Sequence, residues 1–185
     1  MLLPNSENIL DITRSLRHKN YTVRDMVKRA EDYYVSLGFP SLPREFWKNS
    51  VFTKRNSSDG NCHAAAVDMW GDGDYRMIAC LDVNEEDFYV VHHELGHVQY
   101  YMAYRNQTPI FRVTVVLSHE KKTSSGNLIY FHCSLQNGVN SGFHEAIGDA
   151  VMLGVMTTQH LQRLGLANDE ILTDGNTFKL AIFFA

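Results

Sequence analysis

Apolar positions recur at helical spacing in three separate stretches of the chain. Val23, Met26, Val27, Ala30, Tyr33, Tyr34 and Leu37 fall three or four apart and so share one helix face. Thr22 can cap that helix with Asp25 three positions on, and Gly38 suits its stop. Phe88, Val91, Leu95, Val98 and Met102 make a second stripe, running to about Tyr104. Asn84 opens it, and Glu85, Glu86 and Asp87 put negative charge in the first turn, where the helix dipole favours it. Phe143, Ile147, Ala150, Val151 and Val155 form a third, and Thr157 or Thr158 can cap a short fourth helix ending near Gly165. The first 20 residues show no clear period and end in a basic cluster from Arg14 to Lys19. Residues 39–47 hold two prolines and read as a connector. Residues 56–60 and 71–74 are turn-rich, with too short a stretch between them to assign. No run alternates as half-buried strands do, and no repeat occurs, so the expected fold is mainly α.

With 185 residues, 44% of them hydrophobic and 21% charged, the chain can bury one globular core. A net charge of −4 lacks the basic footprint of a nucleic-acid binder. No apolar run approaches the roughly 20 residues of a membrane-spanning helix. The start, Met1-Leu-Leu-Pro-Asn-Ser-Glu-Asn, has neither the cationic flank nor the apolar stretch of a secretory signal. Two features nevertheless point to a secreted protein or an ectodomain whose signal peptide is absent from this fragment. Cys62 and Cys80 would close a loop with 17 residues between them. If oxidised, such a loop contributes about 3 kcal/mol, and Cys133 is then left over. Three glycosylation sequons start at Asn20, Asn56 and Asn106, the last weakened by the nearby Pro109.

The candidate chemistry lies in the second helix, at His93-Glu94-Leu95-Gly96-His97. Residues four apart lie on one face, so two imidazoles can reach one Zn²⁺ with Glu94 beside them. Glu94 is then placed as a general base, taking a proton from the attacking water and passing it to the leaving amine. A shuffled chain of this composition holds the five-residue pattern roughly 2% of the time, before helical context is required. The bland alternative is a helix whose histidines only satisfy local hydrogen bonds. His92 sits about 100° round the helix from His93 and has no partner four positions on, so it is not expected to be a ligand. Two histidines need a third ligand, and Glu145 opens the next helix with Asp149 one turn later. A ligating carboxylate followed by one that orients a histidine fits metal-site architecture. Acidic pairs on helices also commonly face solvent. Glu120 competes by residue type but sits in a polar turn.

The run Cys62-His-Ala-Ala-Ala-Val-Asp-Met-Trp70, then Cys80, Val83-Asn-Glu-Glu-Asp87 and His92 through Tyr104, resembles the catalytic region of the angiotensin-converting enzyme family. Gly142-Phe-His-Glu-Ala-Ile-Gly-Asp-Ala-Val-Met-Leu153 resembles that family's third-ligand helix. Ser36-Leu-Gly and Pro43-Arg-Glu-Phe-Trp47 also match, and the similarity runs from about Tyr21 to Gly165 with one interruption. The resemblance implies a zinc peptidyl-dipeptidase that releases C-terminal dipeptides from oligopeptides, with a deep cleft between two largely helical halves and chloride as activator. Carried over position by position, it implies His93, His97 and Glu145 as zinc ligands and Glu94 as the base. Asp149 would orient a ligand, Cys62 and Cys80 would form a disulfide, and His63 and Ala64 would line the substrate site. For His63 the alternative is an exposed loop histidine.

Two departures bear on activity. His97 and Glu145 stand 48 positions apart, twice the spacing of the family, so residues 113–136 are expected to be an inserted loop within a single partial metallopeptidase domain spanning 1–185. A retained intron read in frame is the hypothesis for its origin. Val113 can be encoded by a codon starting GT, and Leu-Ile-Tyr-Phe-His-Cys-Ser-Leu-Gln136 by a pyrimidine-rich tract ending in CAG. Second, family members continue far beyond the zinc-site helices. The parts implied beyond Ala185 stabilise the oxyanion, hold the substrate carboxylate and bind chloride. The expectation is therefore an incomplete helical zinc-peptidase fold. The alternative function is a catalytically inactive truncated or mis-spliced product that at most binds zinc or a protein partner.

Overall fold

The computed structural model describes residues 12–53, 63–70, 73–108, 121–122, 128–129 and 141–167. Mainly α is the architecture found. Helix α2 (Val23–Ser36) starts where a capping box forms: Thr22 Oγ1 accepts from the Asp25 amide, and the Asp25 carboxylate accepts from the Thr22 amide. It ends at Leu37, before Gly38 with φ +92°, a conformation that glycine adopts without penalty. Two helices arise where the pattern predicts none. Helix α1 (Thr13–His18) is one and a half turns long and buries only Leu16, so no period can show itself. Helix α3 (Arg44–Asn49) occupies part of the expected connector; Pro43, at φ −66°, is its N-cap, and Phe46 is buried.

Strands β1 (Ala65–Asp68) and β2 (Tyr75–Ile78) pair antiparallel, with Ala66 opposite Met77 and Asp68 opposite Tyr75. Four-residue strands are too brief to alternate visibly, and their turn uses a left-handed Trp70 (φ 59°) and Gly73 (φ 76°). A second antiparallel pair, β3 (Lys121–Lys122) with β4 (Leu128–Ile129), falls within 113–136.

Helix α4 (Glu85–Tyr104) is the centre of the molecule. Asn84 caps it by accepting from the Asp87 amide at 2.7 Å. The predicted stripe, Phe88, Val91, Leu95, Val98 and Met102, is buried throughout, but so are His92, Glu94, His97, Gln99 and Tyr101 on other faces. Polar residues on covered faces blur the amphipathic signal while marking where chemistry sits. On one side α4 joins a core with Val27, Ala30, Tyr34, Phe46 and Met77. On the other, Phe88 and Tyr89 join Ile12, Leu16, Met26, Met152, Val155 and Leu161. Tyr34 OH donates to the His92 carbonyl at 2.7 Å, tying α2 to α4 inside the core. Helix α5 (Ser141–Val155) packs along α4, and α6 (Thr158–Arg163) follows, capped by Thr157 Oγ1 accepting from the His160 amide. Among the described residues no helix is long and apolar enough to cross a membrane.

Cys80 stands in a disulfide, and Cys62 lies outside the described residues. Of the sequon asparagines, Asn20 and Asn106 are exposed, while Asn56 lies outside them, as does Glu120.

Candidate metal centre

One turn of α4 brings His93 and His97 to the same face, with their Nε2 atoms 3.0 Å apart. The second turn of α5 opens with Glu145, whose Oε2 lies 3.0 Å from His93 Nε2 and 3.7 Å from His97 Nε2. Tetrahedral ligands at about 2.0–2.1 Å from a zinc ion are separated from one another by roughly 3.3 Å. The three distances bracket that value. Asp149, one turn beyond Glu145, puts Oδ1 3.1 Å from His93 Nδ1. With Nδ1–H donating to that carboxylate, the Nε2 lone pair of His93 faces the triangle; this tautomer is assigned from the hydrogen bond.

The electrostatics suit metal ligation. Burial, reinforced by His144 and His93, pushes the His97 pKa down to about 3, so its imidazole is neutral at physiological pH. Burial pushes the Glu94 carboxyl up; Glu145 adds to the rise, while His93 and the Ala66 amide oppose it. Glu94 Oε2 is buried without a hydrogen-bond partner among the described residues. Glu94 also lies within 4.8 Å of both imidazoles and is a carboxylate, so it rivals Glu145 as third ligand. Glu94 is tethered to the Ala66 amide of β1, whereas Glu145 reaches both nitrogens, at 3.0 and 3.7 Å. Glu145 is also the open side of the centre, 58% exposed against 20% and 6% for the two histidines.

His92, excluded from the ligand set on helical geometry, points elsewhere: it is fully buried and its Nδ1 meets the Phe88 carbonyl at 2.7 Å. His63 is exposed and Ala64 half-buried, immediately before β1. Two neighbours escape the sequence reading. His144 stacks on His97 with ring centroids 4.0 Å apart and planes 10° from parallel. Tyr101 OH donates to the Ala66 carbonyl at 3.2 Å and lies 3.4 Å from His144 Nε2, joining β1 to the histidine stack. The available signal was the pairing of His144 with Glu145 opposite a helix rich in tyrosine.

A peptidase family model described as angiotensin-converting enzyme matches residues 1–120 and 127–182. The chain belongs to the angiotensin-converting enzyme family. Angiotensin-converting enzyme of Sus scrofa is 38% identical over 168 residues, 89% of this chain and 11% of that protein. Angiotensin-converting enzyme-related protein of Drosophila melanogaster is 35% identical over 157 residues, 85% of this chain and 21% of that protein. Angiotensin-converting enzyme of Haematobia irritans exigua is 32% identical over 164 residues, 88% of this chain and 23% of that protein. The chain therefore spans between about a tenth and a quarter of the length of these curated relatives of the angiotensin-converting enzyme family. The family match breaks at 121–126, inside the stretch 113–136.

Proposed function

We propose that this chain carries the zinc-holding part of a metallopeptidase of the angiotensin-converting enzyme type, acting on oligopeptides to release C-terminal dipeptides. One observation supports it above the others: three donor atoms, His93 Nε2, His97 Nε2 and Glu145 Oε2, converge at 3.0, 3.0 and 3.7 Å. They fit zinc in number, chemistry and spacing. Zinc held there would supply Lewis acidity, polarising a peptide carbonyl and making water easier to deprotonate. Glu94 Oε2, buried and without a partner among the described residues, takes the proton of the attacking water and returns it to the departing amine nitrogen. Its raised pKa brings it nearer the working pH, which makes both transfers efficient. Asp149 holds the ring of His93, and β1 beside Glu94, preceded by His63 and Ala64, is where an extended peptide is read.

A secreted or ectodomain setting accords with the Cys80 disulfide, assigned here to Cys62, and with the exposed sequon residues Asn20 and Asn106. Residues 113–136 are read as an insert in one partial domain, and splice signals in the gene at its two edges test the retained-intron origin.

A second reading, a product that binds zinc or a partner without catalysis, is favoured by one observation. Phe143 and Leu153 on α5 are 48% and 64% exposed beside a half-open centre. Loss of oxyanion stabilisation alone typically costs about 10²–10³ in rate. Zinc titration followed by a fluorogenic dipeptide-release assay separates the two. One zinc per chain with chelator-sensitive release supports the peptidase, and one zinc without turnover supports the second reading. No zinc uptake by folded protein sinks the peptidase and leaves the second reading only as partner binding.

A further inference from the structure

Each of the two site helices repeats one spacing: His93, Gly96 and His97 on α4, and Glu145, Gly148 and Asp149 on α5. Residues at i, i+3 and i+4 share a helix face, so each glycine lies between two site side chains. The glycines meet at the crossing. A Cβ on Gly96 would lie 2.9 Å from the Tyr34 hydroxyl oxygen and 3.2 Å from the Gly148 Cα, so even one methyl group there crowds both the core and the facing backbone. At Gly148 the restriction is severe. A Cβ there would stand 2.6 Å from His93 Nδ1, 2.7 Å from Cε1 and 2.8 Å from Cγ. Three ring atoms are blocked at once, Cγ among them, so rotation about the outer bond gives no escape and the whole imidazole must leave. Glycine is also a poorer helix former than alanine, so a mid-helix glycine here is retained against local preference.

We propose that Gly148 is a positioning residue of the metal centre, the flat seat on which the His93 imidazole lies. The claim rests on the zinc reading above for its consequence, but the seat itself is a feature of the metal-free chain. One turn of α5 serves a single ring three ways: Glu145 faces Nε2 at 3.0 Å, Asp149 faces Nδ1 at 3.1 Å, and Gly148 lies against the ring between them. Filling the seat separates the ring from both carboxylates together, an effect that neither Glu145→Ala nor Asp149→Asn alone produces.

The test compares wild type, Gly148→Ala, Gly96→Ala, His93→Ala and Gly148→Ala combined with His93→Ala. The first readout needs no metal: the His93 Nδ1–H resonance, held by Asp149 and identified by its loss in His93→Ala. It is expected in wild type and absent in Gly148→Ala. The second is zinc or cobalt(II) titration, with the cobalt visible spectrum reporting ligand geometry. Gly148→Ala is expected to weaken binding about 10–100-fold, the range typical when a ligand loses its orienting partner, with Gly96→Ala intermediate. Where Gly148→Ala fails to fold, adding His93→Ala removes the obstructing ring and is expected to restore the melt of His93→Ala alone. Wild-type proton resonance and wild-type affinity in Gly148→Ala overturn the proposal, as does a double variant that stays unfolded. If folded wild type binds no metal, the zinc reading fails, and the proton resonance still decides whether the seat exists.

Discussion

At the level of single residues, the buried histidines set a pH limit on the metal-free fold. Burial pulls the His92 pKa from its ordinary 6.5 down to about 4, and its Phe88 contact only partly resists this. An unfolded chain therefore binds a proton that the folded one refuses between those values. Stability is fully present above about pH 6.5 and drains away as pH falls toward 4. For a group this deeply buried the whole shift corresponds to on the order of 3 kcal/mol. His97, His144 and His160 shift in the same direction, chiefly through burial. Thermal melts of the zinc-free chain are expected to drop between pH 7.5 and pH 5, and His92→Gln, which cannot titrate there, should drop less. Equal acid sensitivity in both would assign the effect elsewhere. A related comparison concerns His144, whose ring covers His97 at 4.0 Å. His144→Phe keeps an aromatic face and should keep zinc affinity, whereas His144→Ala should weaken it; identical titration curves for the two would deny the stack any role.

At the level of elements, local caps explain which helices could be read from sequence. Thr22 and Asp25 satisfy each other's amides at 3.2 and 3.0 Å, which fixes where α2 begins. Thr22→Ala should cost about 1 kcal/mol, read as a lowered denaturant midpoint with unchanged zinc stoichiometry. The same chemistry at Asn84 and Thr157 made α4 and α6 legible, and sustained apolar spacing revealed α5. Helix α1, helix α3 and the β1–β2 pair were hidden for a common reason. Helices of six residues hold fewer than two turns and strands of four only two alternations, so the long-range contacts of residues such as Ile12, Leu16, Phe46 and Met77 decide them instead. The convergence of four side chains was legible because spacing on a helix fixes facing: His93 with His97, and Glu145 with Asp149. The stack of His144 and the seat at Gly148 were not, since both depend on how α4 and α5 cross, which no single helix encodes.

For the whole molecule, the decisive question is whether the stretch between His97 and Glu145 disturbs the site proposed for them. Glu145 lies 48 positions after His97 in the chain, yet their donor atoms are 3.7 Å apart. Loop-closure entropy grows only logarithmically, so doubling such a connection costs roughly 0.6 kcal/mol. That is small beside the stabilisation by bound zinc, which at a hundredfold excess over Kd amounts to about 2.7 kcal/mol. The packing of α4 on α5, in which Met152 and Val155 share a core with Phe88 and Tyr89, fixes where these side chains lie irrespective of the path between them. Deleting residues 113–136 should therefore leave zinc stoichiometry intact and raise affinity less than about threefold. The larger expected gain is in solubility, because the apolar runs Val113 to Leu117 and Leu128 to Phe131 are removed along with Cys133. Zinc titration and sedimentation of the deletion variant beside the intact chain provide the check. A deletion that abolishes zinc uptake while the protein remains folded would show that this stretch belongs to the site rather than interrupting it.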